Sequence, residues 1–288
     1  RHVVVAERDS LDPAALVPGV RALVREAAAA ILEVYATGAT GGDGPRVLRK
    51  DDHSPLTEAD LAAHRILVAG LESLLPGVPV LSEEAADIPW ERRAGWRRHW
   101  LVDPLDGTRE FLSRNGEFTV NVALIEDHRP VLGVVQVPVT GVEYWGVPGP
   151  GRGAGSWRAE AGDGSPVPIA VSAQPAAALR VVGSRSHRGA SLDAFLQRVG
   201  PHELVSMGSS LKFCVLAEGR ADVYPRLGPT SEWDTAAAQA VVEGAGGRVL
   251  RLDGRPLDYN AKPELLNPDF VAFGPATTDW LALLRAAG

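Results

Sequence analysis

Trp100-Leu101-Val102-Asp103-Pro104-Leu105-Asp106-Gly107-Thr108-Arg109-Glu110-Phe111 is the stretch around which the chain is organised. Its apolar start reads as a buried strand that breaks sharply at two acids, a proline and a glycine. Buried carboxylates are costly unless hydrogen-bonded, paired with a cation or bound to metal. Pro104 limits the backbone after Asp103, and Gly107 permits a close approach or a positive φ. Taken alone, the stretch reads either as a capped turn or as a strand end presenting acids to a site. The acids elsewhere in the chain decide between the two.

Upstream, Ser82-Glu83-Glu84 follows the short apolar run Val78-Pro79-Val80-Leu81. Adjacent strand side chains point to opposite faces, so in extended chain at most one of these two glutamates reaches a common site. Further back, Thr57 can cap a helix with Asp60 three residues on, and that helix is expected to run to about Leu75, stopped by Pro76-Gly77. Val20, Leu23, Val24, Ala27, Ile31 and Val34 recur at helical spacing and predict an amphipathic helix from Gly19 to Tyr35. Residues 1–18 read as a lead-in. Gly38-Ala39-Thr40-Gly41-Gly42 lacks the GxxxxGK[ST] pattern of a nucleotide loop, and His53 has no partner at zinc-motif spacing.

Downstream, strands are expected over Glu117–Ile125, Val131–Pro138 and Glu143–Val147, with another around Ser156-Trp157-Arg158. This succession suggests an antiparallel sheet. A boundary between Pro166 and Leu179 divides the chain into an α+β domain, 1–166, and an α/β domain, 167–288. In the second half, strands over Arg180–Ser184, Glu203–Met207, Ala221–Pro225, Arg248–Leu250 and Phe270–Gly274 alternate with helices over Leu192–Val199, Leu211–Gly219 and Asp279–Ala287, and with an alanine-rich helix from Trp233. Asp234 stands at the start of that alanine-rich helix, as a cap or as an acid offered to the first half. Cys214 lies in an apolar setting and reads as a small core residue.

With 288 residues and 45% hydrophobic content, the chain can bury a sizeable core. One cysteine excludes an intrachain disulfide and a cysteine-rich metal site. No apolar stretch is long enough for a bilayer span, and charges soon after Arg1-His2-Val3-Val4-Val5-Ala6 argue against a secretory signal, so a cytoplasmic location is expected. The net charge of -7 argues against binding a nucleic-acid polymer through its backbone. It is compatible with a small phosphorylated ligand, because divalent cations reverse the charge of an acidic pocket.

Ser82-Glu83-Glu84, Asp103-Pro104-Leu105-Asp106-Gly107-Thr108, Trp233-Asp234-Thr235-Ala236-Ala237 and Ala245-Gly246-Gly247 occur in the order found in one superfamily. Over nearly its whole length the chain resembles the lithium-sensitive, Mg²⁺-dependent phosphatases of the inositol monophosphatase superfamily. Lys50 to Asp60, Val182 to His187, Gly208 to Cys214 and Ala221 to Asp234 make it most similar to the CysQ-type 3′(2′),5′-bisphosphate nucleotidases, associated with sulfur assimilation. The resemblance implies a layered αβαβα sugar-phosphatase fold, α+β in the first half and α/β in the second. The implied activity is hydrolysis of the 3′-phosphate of adenosine 3′,5′-bisphosphate to AMP by metal-activated water. Inositol phosphates and fructose 1,6-bisphosphate remain alternative substrates, and a non-catalytic phosphate-binding protein is the alternative of a different class.

By the same resemblance, Glu83, Asp103 and the Leu105 carbonyl hold a first Mg²⁺, and Asp103, Asp106 and Asp234 a second. A third, weaker ion sits near Glu83. Thr108 positions the attacking water with Asp60 behind it, and the Gly107 and Thr108 amides help hold the phosphate. Lys212 and Arg226 are implied for the retained 5′-phosphate, with Ser184, Arg185, His187 and Ser209 as looser pocket candidates. Glu84 is not carried over as a ligand, and a homodimer is left open. The residue types suit the chemistry, since Mg²⁺ is hard and prefers oxygen donors.

Overall fold

A computed structural model describes residues 11–37, 47–49, 55–162, 164–184, 189–274 and 278–286. The chain opens with helix α1 (Pro13–Thr37), strands β1 (Val47–Arg49) and β2 (Pro55–Thr57), and α2 (Glu58–Leu74). Then come β3 (Val80–Ser82), a 3-10 turn (Glu83–Ala85), α3 (Trp90–Arg93), β4 (Arg98–Asp106) and α4 (Thr108–Ser113). Strands β5 (Thr119–Glu126), β6 (Arg129–Gln136), β7 (Glu143–Val147), β8 (Gly155–Ala159) and β9 (Val167–Pro168) follow. The remainder is β10 (Leu179–Ser184), α5 (Ala190–Val199), β11 (His202–Met207), α6 (Leu211–Ala217), β12 (Val223–Arg226), α7 (Glu232–Gly244), β13 (Arg248–Arg251), β14 (Phe270–Phe273) and α8 (Trp280–Arg285).

Strands β3 to β9 form one sheet in sequence order, antiparallel except for the parallel pair β3 and β4. A second sheet has the order β11-β10-β12-β14-β13 and mixes parallel with antiparallel pairs. Three hydrophobic cores hold five layers together, the central one spanning both sides of the middle helices. Helices α1 and α2 cover Trp100, Val102 and Val122 on one face of the first sheet. Helices α6 and α7 fill the space between Leu101, Ala123 and Val135 of that sheet and Tyr224, Val249 and Phe270 of the second. Helices α5 and α8 close the far face over Val181, Val223 and Val271. This is the expected layered αβαβα arrangement.

Helix α1 begins six residues before the predicted Gly19, at Pro13. Asp12 caps it, accepting from the Ala14 amide at 3.1 Å. Pro18 costs a helical hydrogen bond, yet the buried stripe Val17, Val20, Val24, Ala27 and Ile31 continues through it, and packing prevails over local preference. The predicted sharp strand break is also corrected, because β4 runs on through Pro104 to Asp106.

Helix α7 crosses the first sheet in near backbone contact. Gly133 and Gly146 are opposite each other on β6 and β7. A Cβ added at Gly133 would lie 2.1 Å from the Ala237 carbonyl oxygen, and one at Gly146 would lie 2.3 Å from that of Ala240. The alanines of α7 are thus the complement of a glycine pair, and their fit fixes where Asp234 arrives. No helix among the described residues is long and apolar enough to cross a membrane.

Candidate active site

The pairing of β4 with β5 supplies the first element of the site. Asp103 lies opposite Asn121 and Asp106 opposite Thr119, so three steps on one strand match two on the other. That one extra residue is a β-bulge. In a regular strand, residues three apart point to opposite faces. The bulge restores parity, and Asp103 and Asp106 project together. Pro104 has no amide to offer the ladder, so the local loss of pairing costs little there. The Leu105 amide donates to Asp103 Oδ1 at 3.1 Å, which fixes the turn of the backbone.

Asp234 comes from α7 on the same side. Its Oδ2 accepts from the Ser231 amide at 2.7 Å, satisfying the helix start while its other oxygen is left for the site. The helix start is held from below: the Asn260 amide donates to both Glu232 carboxylate oxygens, and Asn267 Nδ2 donates to the Ser231 carbonyl at 2.9 Å. Asn260 is itself clamped by buried Arg93, whose Nη1 donates to its Oδ1 at 2.7 Å.

Asp103, Asp106 and Asp234 each offer an oxygen, all within 4.8 Å of one another. Burial first, then the neighbouring acids Glu83, Asp106 and Asp234, push the Asp103 carboxyl well above its usual range. Asp106 is pushed up to about 8 by burial and Asp234, with Lys212 working against it. Asp234 is pushed up to about 6, again by burial, with Glu83 adding to it. Three carboxylates that resist ionisation in one another's company are what a bound divalent cation relieves, and their hard oxygen donors suit Mg²⁺. The fit is thus one of donor type and of unbalanced charge.

Glu83 opens the 3-10 turn after β3, half-buried, and its charge acts on both Asp103 and Asp234. Ser82 just before it receives a 2.9 Å contact from His64 Nδ1 of α2. Asp60, in the first turn of α2, is 2% exposed and near enough to act on Asp103. Thr108 begins α4, half-buried, and Gly107 before it has φ +92, a left-handed conformation that favours glycine. The five acids named from the sequence therefore reach one region. Glu84 is half-buried beside Glu83 in the turn.

The second half docks on this region through the turn before α6. Gly208 donates its amide to Glu117 Oε2 at 2.8 Å, and Ser209 Oγ donates to the Glu117 carbonyl at 2.7 Å. Ser210 Oγ lies 2.8 Å from Thr119 Oγ1, which accepts from Asn121 Nδ2 at 3.0 Å. Lys212 follows in the first turn of α6, 7% exposed. Burial lowers the pKa of its ammonium, and Asp106 opposes that shift. A cavity opens here, lined among others by Asp106, Ser209, Lys212, Tyr224, Arg226 and Asp234. Ser209, Lys212 and Arg226 thus share it with two of the proposed metal ligands. Ser184 ends β10 opposite Met207 and is not among the lining residues. Arg185 and His187 lie outside the described residues. Tyr224 escaped the sequence reading, although its place two residues before Arg226 on a strand puts both on one face.

A fold of two large sheets in five layers with acids converging at a bulged strand end defines a class. The chain belongs to the inositol monophosphatase family, whose model matches residues 12–282. Among its relatives is the 3′(2′),5′-bisphosphate nucleotidase CysQ of Escherichia coli strain K12, 49% identical over 252 residues, which span 86% of this chain and 95% of that protein. The protein of the same name from Haemophilus influenzae is 35% identical over 239 residues, 82% of this chain and 86% of that protein. The crystal structure of CysQ from Bacteroides thetaiotaomicron superposes with a TM-score of 0.77 at 38% identity, covering 91% of this chain and 97% of that one. The extragenic suppressor protein SuhB of Bartonella henselae shares the fold, with a TM-score of 0.73 at 21% identity over 95% of this chain and 98% of that one.

Proposed function

We propose that this chain is a Mg²⁺-dependent phosphomonoesterase that hydrolyses the 3′-phosphate of adenosine 3′,5′-bisphosphate to give AMP and phosphate. The observation that carries the reading is the meeting of Asp103, Asp106 and Asp234, within 4.8 Å, beside a cavity that also holds Lys212 and Arg226. The relatives named as bisphosphate nucleotidases support the choice of substrate.

In this reading residues 1–166 form the metal-binding part, and residues 167–288 complete it and recognise the substrate. Glu83, Asp103 and the Leu105 carbonyl would hold one ion and Asp103, Asp106 and Asp234 another, and Glu83 would face a third. When bound, the ions supply Lewis-acid charge and lower the pKa of water. Thr108 receives the attacking water and orients it, and Asp60 accepts from the threonine hydroxyl to fix its direction. The Gly107 and Thr108 amides face the phosphoryl oxygens as charge develops there. The water oxygen forms the new bond to phosphorus, the bond from phosphorus to the 3′-oxygen breaks, and AMP leaves as the 3′-alcohol, its 3′-oxygen taking up a proton equivalent to the one the water loses. Lys212 and Arg226 hold the phosphate that is kept, Lys212 as a point charge and Arg226 as a planar fork. Ser184, Arg185, His187 and Ser209 belong to the outer pocket in this reading.

The test is initial-rate kinetics with Mg²⁺ on adenosine 3′,5′-bisphosphate, inositol 1-phosphate and fructose 1,6-bisphosphate. The bisphosphate nucleotide should have the highest kcat/KM. If it is the poorest by a wide margin the substrate assignment fails, and if no phosphate is released from any of them the enzyme assignment fails.

A further inference from the structure

Tyr224 lines the same cavity as Lys212 and Arg226, and neither the metal ligands nor the water-positioning pair employs it. It is 2% exposed. Its ring is held edge-on by Phe213 at 5.0 Å and by Phe270 at 5.8 Å, and those two rings stack on each other at 5.6 Å. The Lys212 ammonium stands 6.0 Å from the ring centre. Such packing leaves the hydroxyl little freedom to move.

Arg226 interacts with the Tyr224 hydroxyl. A guanidinium can only donate, so it can approach the phenol only at its oxygen, and the phenol hydrogen is available to an acceptor in the cavity. No described residue accepts it in a hydrogen bond of ordinary geometry. Arg226 also keeps a spare donor: Nη2 reaches the Pro229 carbonyl at 3.2 Å, but the buried Nε has no acceptor among the described residues. One cavity thus contains an ammonium, a guanidinium with an unused N–H and a phenol with an unused O–H. Buried donors without acceptors are costly, and an anion with several oxygens satisfies all three together.

We infer that Tyr224 is a specificity-determining residue, whose hydroxyl donates to the phosphate that the substrate retains, alongside Lys212 and Arg226. This rests on the proposed bisphosphate nucleotidase reading. Burial holds the phenol far above its ordinary pKa, so it stays a neutral donor across the working range and does not repel a dianion. The residue contributes to choosing between a substrate with a second phosphate and one without. It takes no part in the displacement at phosphorus.

The experiment compares wild type with Tyr224→Phe, which keeps the ring packing and removes only the donor. The measurements are kcat/KM for adenosine 3′,5′-bisphosphate and for adenosine 3′-monophosphate, and Kd for adenosine 5′-monophosphate by calorimetry, all in Mg²⁺. The expected result is a loss of about tenfold in the preference for the bisphosphate, expressed in KM, and an AMP Kd about tenfold weaker. An unchanged preference overturns the inference, including the case in which both substrates lose rate equally through a structural effect. If wild type fails to hydrolyse the bisphosphate, the proposed activity falls and the AMP Kd alone decides; equal values in the two proteins then overturn the role of Tyr224.

Discussion

Replacing Gly133 with alanine tests whether the fit of one helix sets the metal site. The added methyl would sit 2.1 Å from the Ala237 carbonyl oxygen and 2.8 Å from its Cα, where ordinary contact begins at 3.4 Å. Backbone blocks it, so no side chain can swing aside, and α7 must lift by about 1 Å if the strand holds. Overpacking of this kind costs about 1–3 kcal/mol, which lowers Tm by several degrees in a chain of this size. Asp234 sits on the first turn of that helix, one turn from Ala237. A shift of about 1 Å at a catalytic group can cost on the order of a hundredfold in rate. Gly133→Ala should therefore lower Tm, raise the Mg²⁺ concentration needed for half-maximal rate, and lower kcat. The matched control is Gly95→Ala, where an added Cβ meets nothing within 4 Å. Thermal melts and Mg²⁺ titrations of the rate would check this. A Gly133→Ala protein with wild-type Mg²⁺ dependence and kcat, whatever its Tm, would refute the claim that this seam positions Asp234.

Asp106→Asn keeps the shape of a buried carboxyl that cannot ionise; turnover should fall by about a hundredfold or more, while Tm in metal-free buffer near pH 7 holds, because burial and Asp234 already keep most of that carboxyl protonated there. A near-normal saturated rate at high Mg²⁺ would count against Asp106 as a ligand. Lys212→Ala should raise KM for adenosine 3′,5′-bisphosphate by about tenfold or more and change inositol 1-phosphate less, and equal losses on both would remove its role at the retained phosphate. His99 is 1% exposed, and burial, followed by His128 and Arg93, lowers its pKa to about 4. Between that value and the ordinary 6.5 the unfolded chain binds the extra proton, so stability rises with pH across this window and is lost as pH falls through it. The full effect is about 3 kcal/mol. His99→Phe should flatten the fall in Tm between pH 6.5 and 4.5, and an unaltered slope would assign the acid sensitivity to other groups.

Much of the architecture was readable because it rests on local patterns. The stripe from Val20 to Ile31, the strands around Val122 and Val134, and the alanine run of α7 state their structure in their own spacing. The acids were readable as a set only through their order along the chain. Features that depend on partners far away in sequence were not. The start of α1 lies beyond Pro18 because a buried stripe overrides a local breaker. Nothing near Gly133 announces that Ala237 will rest on it. Tyr224 looked like one more strand residue, and its role emerges only when Lys212 and Arg226 are seen around it.

The bulge between Asp103 and Asp106 has a bearing on how such a site can change over generations. Substitution at Leu105 alters a side chain and leaves the count intact. Loss of a single residue there would turn Asp106 toward α1 and α2, into an apolar layer, and insertion of one would do the same. The centre is therefore tolerant of altered spelling and intolerant of altered length. The distance from the first acid to the second is a reading frame, written in residues rather than in nucleotides.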